Sequence, residues 1–173
     1  FGLCASSVYL LNDLLDLADD RHHQTKRKRP FASGRLSIRF GLVVFPLLLI
    51  VAFAGSLWLL PERFAGVLGA YYILTLAYSL SLKRQMAVDV IALAMLYTVR
   101  IIAGAAAFQQ PLTFWILAFS MFIFLSLALI KRYAELREAR TKGHTKKTRG
   151  RGYYPSDLEM ISSLGAASGY MSV

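Results

Sequence analysis

The sequence is poor in cysteine and in charge, and these two shortages exclude whole classes of protein. With one cysteine, Cys4, in 173 residues, no internal disulfide can form. Only 17% of the residues are charged and 56% are hydrophobic, which is too apolar for a soluble domain. The chain begins at Phe1, with eleven residues before Asn12. Because a spanning helix needs about 20 residues, we expect the first helix to be cut and the chain to be a fragment.

Acidic residues are also scarce, with ten Asp and Glu against 20 Lys and Arg, so the formal net charge is +10. Such a balance alone could indicate a nucleic-acid partner. However, the basic residues lie between long apolar runs, and the first connector, 18–39, offers only Phe31 and the adjoining Phe40 for stacking on bases. We therefore expect membrane lipid, and no nucleic acid, as a partner.

Six apolar runs predict an all-α integral membrane protein with one transmembrane domain over residues 1–173. The four middle runs are close to the length that a bilayer requires. The last run follows a Ser156-x-x-Glu159 capping box, and we expect it to be truncated like the first. The predicted spans are 1–17, 40–60, 64–82, 88–108, 113–130 and 156–173.

The basic residues alternate between the connectors of this predicted bundle. The first, third and fifth connectors hold 18 of the 20 Lys and Arg residues, whereas the second holds one and the fourth none. Positively charged loops stay in the cytoplasm. The alternation therefore predicts cytoplasmic odd connectors, and with them a polar cavity that opens to the cytoplasm.

Acidic side chains follow the first apolar run at helical spacing. Asn12, Asp16 and Asp20 would share one face over roughly 12 Å of helix axis, with Asp13 one position round. Carboxylates at this spacing repel each other unless a cation lies between them, and oxygen ligands of this kind suit Mg²⁺. The alternative is a solvated acidic helix end, although acid at a helix C-terminus opposes the macrodipole.

The pattern Asn12-Asp13-x-x-Asp16-x-x-x-Asp20-Arg21, followed by Lys26, Arg29-Pro30 and Ser33-Gly34, resembles the first aspartate-rich motif of the UbiA superfamily of intramembrane prenyltransferases. The resemblance implies Mg²⁺-dependent transfer of a prenyl or polyprenyl group from its diphosphate to an aromatic, lipid or sugar-phosphate acceptor. It implies Mg²⁺ ligands at Asn12 and at three catalytic carboxylates, Asp13, Asp16 and Asp20. It also implies phosphate-binding cations, namely Arg21, Lys26 and Arg29.

One cation, Arg100, lies in the middle of the fourth predicted span, where a guanidinium costs on the order of 3 kcal/mol. Asp89 lies eleven residues earlier, so both side chains face the same way, but roughly 16 Å of axis separates them. Arg100 could pair with a neighbouring helix for structure alone. The alternative is a polar cavity in which Arg100 faces a substrate anion.

The third connector takes the place of the superfamily's second acidic motif and departs from it. Asp89 is present as a metal-ligand candidate, but Leu93 stands where a second Asp would fall. Four features resemble the superfamily branch that transfers phosphoribose to a polyprenyl phosphate: Tyr78, Lys83, Asp89 and Arg100-x-x-Ala103-Gly104. The resemblance implies a substrate contact at Tyr78 and phosphate ligands at Lys83 and Arg100. Phosphoribosyl transfer is thus the alternative to prenyl transfer.

A function from another class stays open as well. An acidic cluster in a membrane bundle is also typical of a cation transporter or channel. The basic run that directly follows the acids, from Lys26 to Arg29, argues against a cation pathway and favours a diphosphate.

Overall fold

The apolar runs fold into helices, as their lengths predict. A computed structural model describes residues 1–22, 26–141 and 152–173, apart from the Asp19 side chain. The described residues form seven α-helices and three short 3-10 helices, and they contain no strand. The chain divides into two compact units, Phe1–Tyr72 and Ile73–Val173. The all-α prediction is confirmed, and the single domain stays a prediction.

The first unit contains α1 (Gly2–Leu15), α2 (Leu17–His22), α3 (Ile38–Leu59) and the first half of α4 (Glu62–Leu80). Helices α1 and α3 pack together. The hydroxyl of the buried Ser7 donates a hydrogen bond of 2.7 Å to the carbonyl of Phe45. This contact ties α1 to α3 one residue before Pro46, which lies inside α3 and has no N–H to donate to the Leu42 carbonyl.

The second unit contains the rest of α4, then α5 (Val88–Phe108), α6 (Phe114–Thr141) and α7 (Leu158–Met171). Helix α6 packs against both α5 and α7. Ser126 and Gly165 let α6 and α7 approach closely, with a hydrogen bond of 2.8 Å from the Ser126 hydroxyl to the Gly165 carbonyl. The core of this unit consists of Val90, Ala128, Leu129, Leu136, Tyr153, Leu158 and Ile161.

Three of the described helices, α3, α5 and α6, are long and apolar enough to cross a membrane. The protein is an integral membrane protein. Helix α4 is 19 residues long, but its charged first turn and its three tyrosines, Tyr71, Tyr72 and Tyr78, make it less apolar. The cytoplasmic orientation of the connectors stays a prediction.

Two helix boundaries differ from the sequence-based expectation. The fifth predicted span ends at residue 130, yet α6 continues to Thr141, so Arg132 lies inside a helix and not at its end. Helix α7 is preceded by a 3-10 turn in which the carboxylate of Asp157 accepts from the Tyr154 backbone N–H at 2.8 Å. This contact replaces the predicted Ser156 cap. Residues 142–151 of the fifth connector lie outside the described residues.

Candidate functional site

The acidic cluster, defined here as Asn12, Asp13, Asp16 and Asp20, lies where α1 gives way to α2. The prediction of one continuous helix is wrong at Asp16, which leaves helical geometry with φ −89° and ψ 5°. The i to i+4 hydrogen bonds nevertheless continue, from the Asp16 N–H to the Asn12 carbonyl and from the Asp20 N–H to the Asp16 carbonyl, both 2.9 Å. The helical hydrogen bonds therefore continue past Asp16, although the backbone angles of Asp16 are not helical.

Arg29 supplies the positive charge that the acidic cluster requires. Its Nη1 donates to Asp13 Oδ1 at 2.9 Å and to Asp20 Oδ2 at 2.8 Å. The Asp20 side chain is buried, whereas those of Asp13 and Arg29 are 32% and 40% exposed. Because one guanidinium nitrogen serves both carboxylates, Arg29 keeps further N–H donors on its exposed part for an anionic ligand.

The neighbouring turn fixes Arg29 in this position. Phe31 is buried, and its ring packs so closely on Gly41 of α3 that a Cβ there would lie 2.9 Å from the ring. The turn closes with a hydrogen bond from the Gly34 N–H to the Phe31 carbonyl, and Gly34 has a φ of +76°, which suits glycine. The turn that follows Arg29-Pro30 thus has its anchor in Phe31.

The donor set of the acidic cluster fits a hard cation such as Mg²⁺. It offers one amide oxygen and three carboxylates, the chemistry that Mg²⁺ takes from proteins. Asn12 Oδ1 is buried and has no hydrogen-bond partner among the described residues. A buried acceptor without a donor is costly, and a cation would satisfy it. Among the residues that the structure describes, however, no three Asp, Glu, His or Cys side chains are gathered into a metal site, so metal binding by Asn12, Asp13, Asp16 and Asp20 stays a prediction.

A second carboxylate–arginine pair lies in the other unit, buried inside it. Asp89 Oδ2 lies 2.8 Å from Nη2 of Arg132, and both side chains are almost fully buried. The Tyr153 hydroxyl donates to Asp89 Oδ1 and accepts from the Ala87 N–H at 3.0 Å. Arg132 also pairs with Glu135 on its own helix. We call Asp89, Arg132 and Tyr153 the buried triad.

The electrostatics of the buried triad favour a neutral tyrosine. Burial raises the pKa of the Tyr153 phenol above its ordinary value, and the hydrogen bond to Asp89 raises that pKa further. The guanidinium of Arg132 lies 5.6 Å from the centre of the Tyr153 ring, a cation–π distance. The phenol thus stays protonated and keeps donating to the carboxylate.

The remaining predicted site residues are divided between the two units, with Arg21 and Lys26 in the first. Arg21 and Lys26 are exposed. In the second unit, Lys83 belongs to the 3-10 helix Leu82–Arg84 before α5. Arg100 lies on α5 with its guanidinium carbon 5.1 Å from the centre of the Tyr97 ring, and its side chain is exposed.

Comparison with models of protein families matches residues 1–145 to the UbiA prenyltransferase family. The chain belongs to that family. The match includes the acidic cluster, Arg29 and two members of the buried triad, Asp89 and Arg132. The superfamily resemblance that the motif indicated is confirmed.

The relatives of this UbiA chain carry three different names. It is 39% identical over its whole length to nodulation protein NoeC of Azorhizobium caulinodans, of which it covers 56%. It is 36% identical, over 97% of its length, to decaprenyl-phosphate phosphoribosyltransferase of Mycobacterium tuberculosis, of which it covers 55%. An uncharacterized protein of Sinorhizobium fredii, y4nM, is 39% identical and is covered to 33%. The chain thus spans about a third to a half of these relatives.

The structure brings together part of the predicted UbiA site and adds residues that the sequence did not indicate. Arg29 pairs with Asp13 and Asp20, a contact that the sequence analysis did not predict, while metal binding by the cluster and phosphate binding by Arg29 stay predictions. Metal binding by Asp89 also stays a prediction, and the structure gives this carboxylate Arg132 and Tyr153 as partners. The available signal for Arg132 was a cation directly after an apolar run. No sequence pattern indicated Tyr153.

Proposed function

We propose that this protein transfers a phosphoribosyl group from phosphoribosyl diphosphate to a polyprenyl phosphate, in a Mg²⁺-dependent reaction at the membrane. In this reaction a phosphate oxygen of the lipid bonds to C1 of the ribose. The bond from C1 to the diphosphate oxygen breaks, and diphosphate leaves with the electron pair. The active-site mouth would face the cytoplasm. The cations assigned to phosphate lie mostly in basic connectors, and basic connectors stay on the cytoplasmic side of a membrane.

The observation that carries the choice of donor is the engagement of Asp89. A second metal site for an allylic diphosphate needs carboxylates at the second acidic motif, where this chain has Leu93 in place of one Asp. The remaining carboxylate, Asp89, is buried against Arg132 and Tyr153. The relatives named decaprenyl-phosphate phosphoribosyltransferase, which are 34–36% identical to this chain, support the same choice.

In this proposal the acidic cluster serves the donor. Asn12, Asp13, Asp16 and Asp20 would hold Mg²⁺, which would supply positive charge to offset that of the diphosphate. Arg29, held by Asp13 and Asp20, directs its remaining N–H groups to the same diphosphate and stabilises the charge that builds up as it leaves. Arg21 and Lys26 add exposed positive charge beside it.

Lys83 and Arg100 would serve the acceptor. Arg100 is a permanent cation within a predicted membrane span, and a lipid phosphate is an anion that resides at a membrane. Lys83 lies in the connector that precedes the same helix. Tyr78, at the end of α4, is the predicted contact for the sugar or the lipid.

Prenyl transfer is the second candidate, because the matching family is described as a prenyltransferase family and the first aspartate-rich motif is intact. In that reaction an acceptor bonds to the allylic carbon, and the bond from that carbon to diphosphate breaks. The acidic cluster would serve it in the same way. The two candidates differ in the donor and in the need for a second acidic motif.

The experiment compares both donors with full-length protein in lipid nanodiscs. One arm supplies radiolabelled phosphoribosyl diphosphate with polyprenyl phosphate, and the other supplies polyprenyl diphosphate with an aromatic acceptor, each across a Mg²⁺ titration. We expect labelled lipid only in the first arm and only with Mg²⁺. Product in the second arm alone would contradict the proposal, as would Mg²⁺-independent turnover.

A matched variant sharpens the choice of donor. Leu93→Asp restores the carboxylate that the second acidic motif lacks, and Leu93→Asn is its uncharged control. If the missing carboxylate decides the donor, Leu93→Asp should gain prenyl-diphosphate turnover while Leu93→Asn does not. Equal behaviour of the two variants would show that position 93 carries no information about the donor.

A further inference from the structure

The start of α5 contains a strained turn. Ala87 has φ 63° and ψ −41°, a region in which residues with a Cβ are uncommon. The Val88 N–H donates to the Met86 carbonyl at 2.8 Å, so Ala87 is the centre of a γ-turn, a conformation that is rare and strained. Such strain persists only where the surrounding structure imposes it, and it is typical of functional sites.

Tyr153 imposes that strain through its hydroxyl. The Ala87 N–H donates to the Tyr153 oxygen at 3.0 Å, and the same hydroxyl donates to Asp89 in the first turn of α5. Tyr153 itself is 2% exposed and packs in the core of the second unit. One rigid, buried side chain therefore fixes both the turn and the helix that follows it.

Gly152, the residue before Tyr153, packs closely against the backbone of the connector that precedes α5. A Cβ at Gly152 would lie 2.6 Å from the Met86 nitrogen and 3.0 Å from the Arg84 carbonyl oxygen. The neighbouring atoms belong to the backbone, which cannot move aside without displacing the connector. Position 152 thus requires glycine for close backbone contact, not for an unusual φ.

We propose that Tyr153 is a positioning residue, which holds the connector between α4 and α5 in the conformation that presents Lys83 to the lipid phosphate. The inference rests on the proposed function for the identity of that phosphate. The hydroxyl does not contact the substrate. It stabilises the turn at Ala87, and that turn fixes the backbone conformation of residues 82–87. Asp89 in this view orients Tyr153.

The test uses Tyr153→Phe in the full-length protein, with Tyr170→Phe, an exposed tyrosine of α7, as the matched control. Tyr153→Phe keeps the aromatic ring and its cation–π contact with Arg132 but removes the hydrogen bonds to Ala87 and Asp89. We expect the KM for polyprenyl phosphate to rise about tenfold, with kcat and the KM for phosphoribosyl diphosphate within about twofold of wild type. A parallel fall of kcat with unchanged KM values would overturn the proposal.

Rescue separates positioning from general stability. Glycine adopts positive φ without a steric penalty, so Ala87→Gly added to Tyr153→Phe lets the turn form without the tyrosine. The double variant should recover the KM for polyprenyl phosphate to within about threefold of wild type. If the single variant is impaired and Ala87→Gly restores nothing, Tyr153 does not act through the turn.

Amide hydrogen exchange tests the same contact without any reaction. In Tyr153→Phe, a peptide covering residues 82–88 should exchange faster, while peptides of α3 keep the wild-type rate. Unchanged exchange at 82–88 would overturn the proposal even if turnover fell. If the wild-type protein transfers no phosphoribosyl group, the proposed function fails, and the exchange result alone decides whether Tyr153 holds the turn.

A second variant covers the case in which Tyr153→Phe does not fold. Gly152→Ala keeps the phenol but forces its Cβ against the Met86 nitrogen. It should give the same rise in KM and the same faster exchange at 82–88. A Gly152→Ala protein with wild-type exchange and kinetics would contradict the docking of this segment on the connector.

Discussion

The two carboxylate–arginine sites of this protein have similar chemistry and opposite surroundings. In the acidic cluster, Arg29 and Asp13 form a pair that is 40% and 32% exposed, and the same arginine also reaches the buried Asp20. In the buried triad, Arg132 and Asp89 pair with essentially no exposure. An exposed pair exchanges partners at little cost, whereas a buried pair cannot lose one member cheaply. The first site suits ligand exchange, and the second suits fixed geometry.

The largest expected effect comes from breaking the buried pair. Arg132→Gln leaves Asp89 buried without its counter-charge, and we expect a loss of about 3–5 kcal/mol in the free energy of unfolding. SDS titration of the full-length protein measures this loss. Arg137→Gln is the control, because Arg137 is exposed on the same helix. Equal stability of the two variants would remove the contrast between the two sites.

The second-largest expected effect is a loss of activity with no change in stability. Asp16→Asn removes a charge from the acidic cluster but little volume, so turnover should fall by at least about 100-fold with unchanged unfolding. Glu62→Gln makes the same change at an exposed position of α4 and should keep full activity. Near-normal turnover of Asp16→Asn would contradict the role assigned to the acidic cluster.

A smaller effect is expected from a substitution of Arg29 that keeps the positive charge of the side chain and changes its shape. Arg29→Lys retains a cation near Asp13 and Asp20 but loses the planar fork that can contact carboxylates and a diphosphate together. We expect about tenfold weaker binding of phosphoribosyl diphosphate and less than about 1 kcal/mol loss of stability. Arg27→Lys, in the adjacent exposed 3-10 helix, is the control. A large loss of stability in Arg29→Lys would make Arg29 a structural residue.

The smallest effect is the pH dependence of the triad. Because the Tyr153 pKa is raised in the folded protein, the folded state retains this proton longer than the unfolded chain does. Stability from the phenol is therefore complete below the ordinary tyrosine pKa, about 10, and falls as the pH rises above it. The difference in unfolding free energy between wild type and Tyr153→Phe should be constant from pH 7 to 9 and shrink above pH ~10. A difference that grows with alkaline pH would contradict this sign.

The two sites also differ in how far the sequence predicts them. The acidic cluster comes from one short stretch whose spacing is set by helix geometry, so its members and their cation could be found from the pattern. The position of Arg29 itself depends on Phe31 packing against Gly41, a contact between segments that no local pattern indicates.

The buried triad joins three separate segments of the chain, and its contacts depend on how α5, α6 and the segment before α7 pack. Asp89 alone was predictable as an acidic residue at a helix start. The fifth predicted span stops at residue 130, before Arg132, but α6 continues because residues 131–141 are good helix formers despite their charge. Hydropathy marks where a span ends, not where its helix ends.

The most direct measurement of the central claim is Mg²⁺-dependent binding of labelled phosphoribosyl diphosphate to the full-length protein in nanodiscs. Wild type and the control Glu62→Gln should bind it only when Mg²⁺ is present, and Asp16→Asn should lose at least about tenfold in affinity. Lipid acceptor is omitted, so the result depends on the donor site alone. Binding that is independent of Mg²⁺, or equal in Asp16→Asn and wild type, would contradict the account.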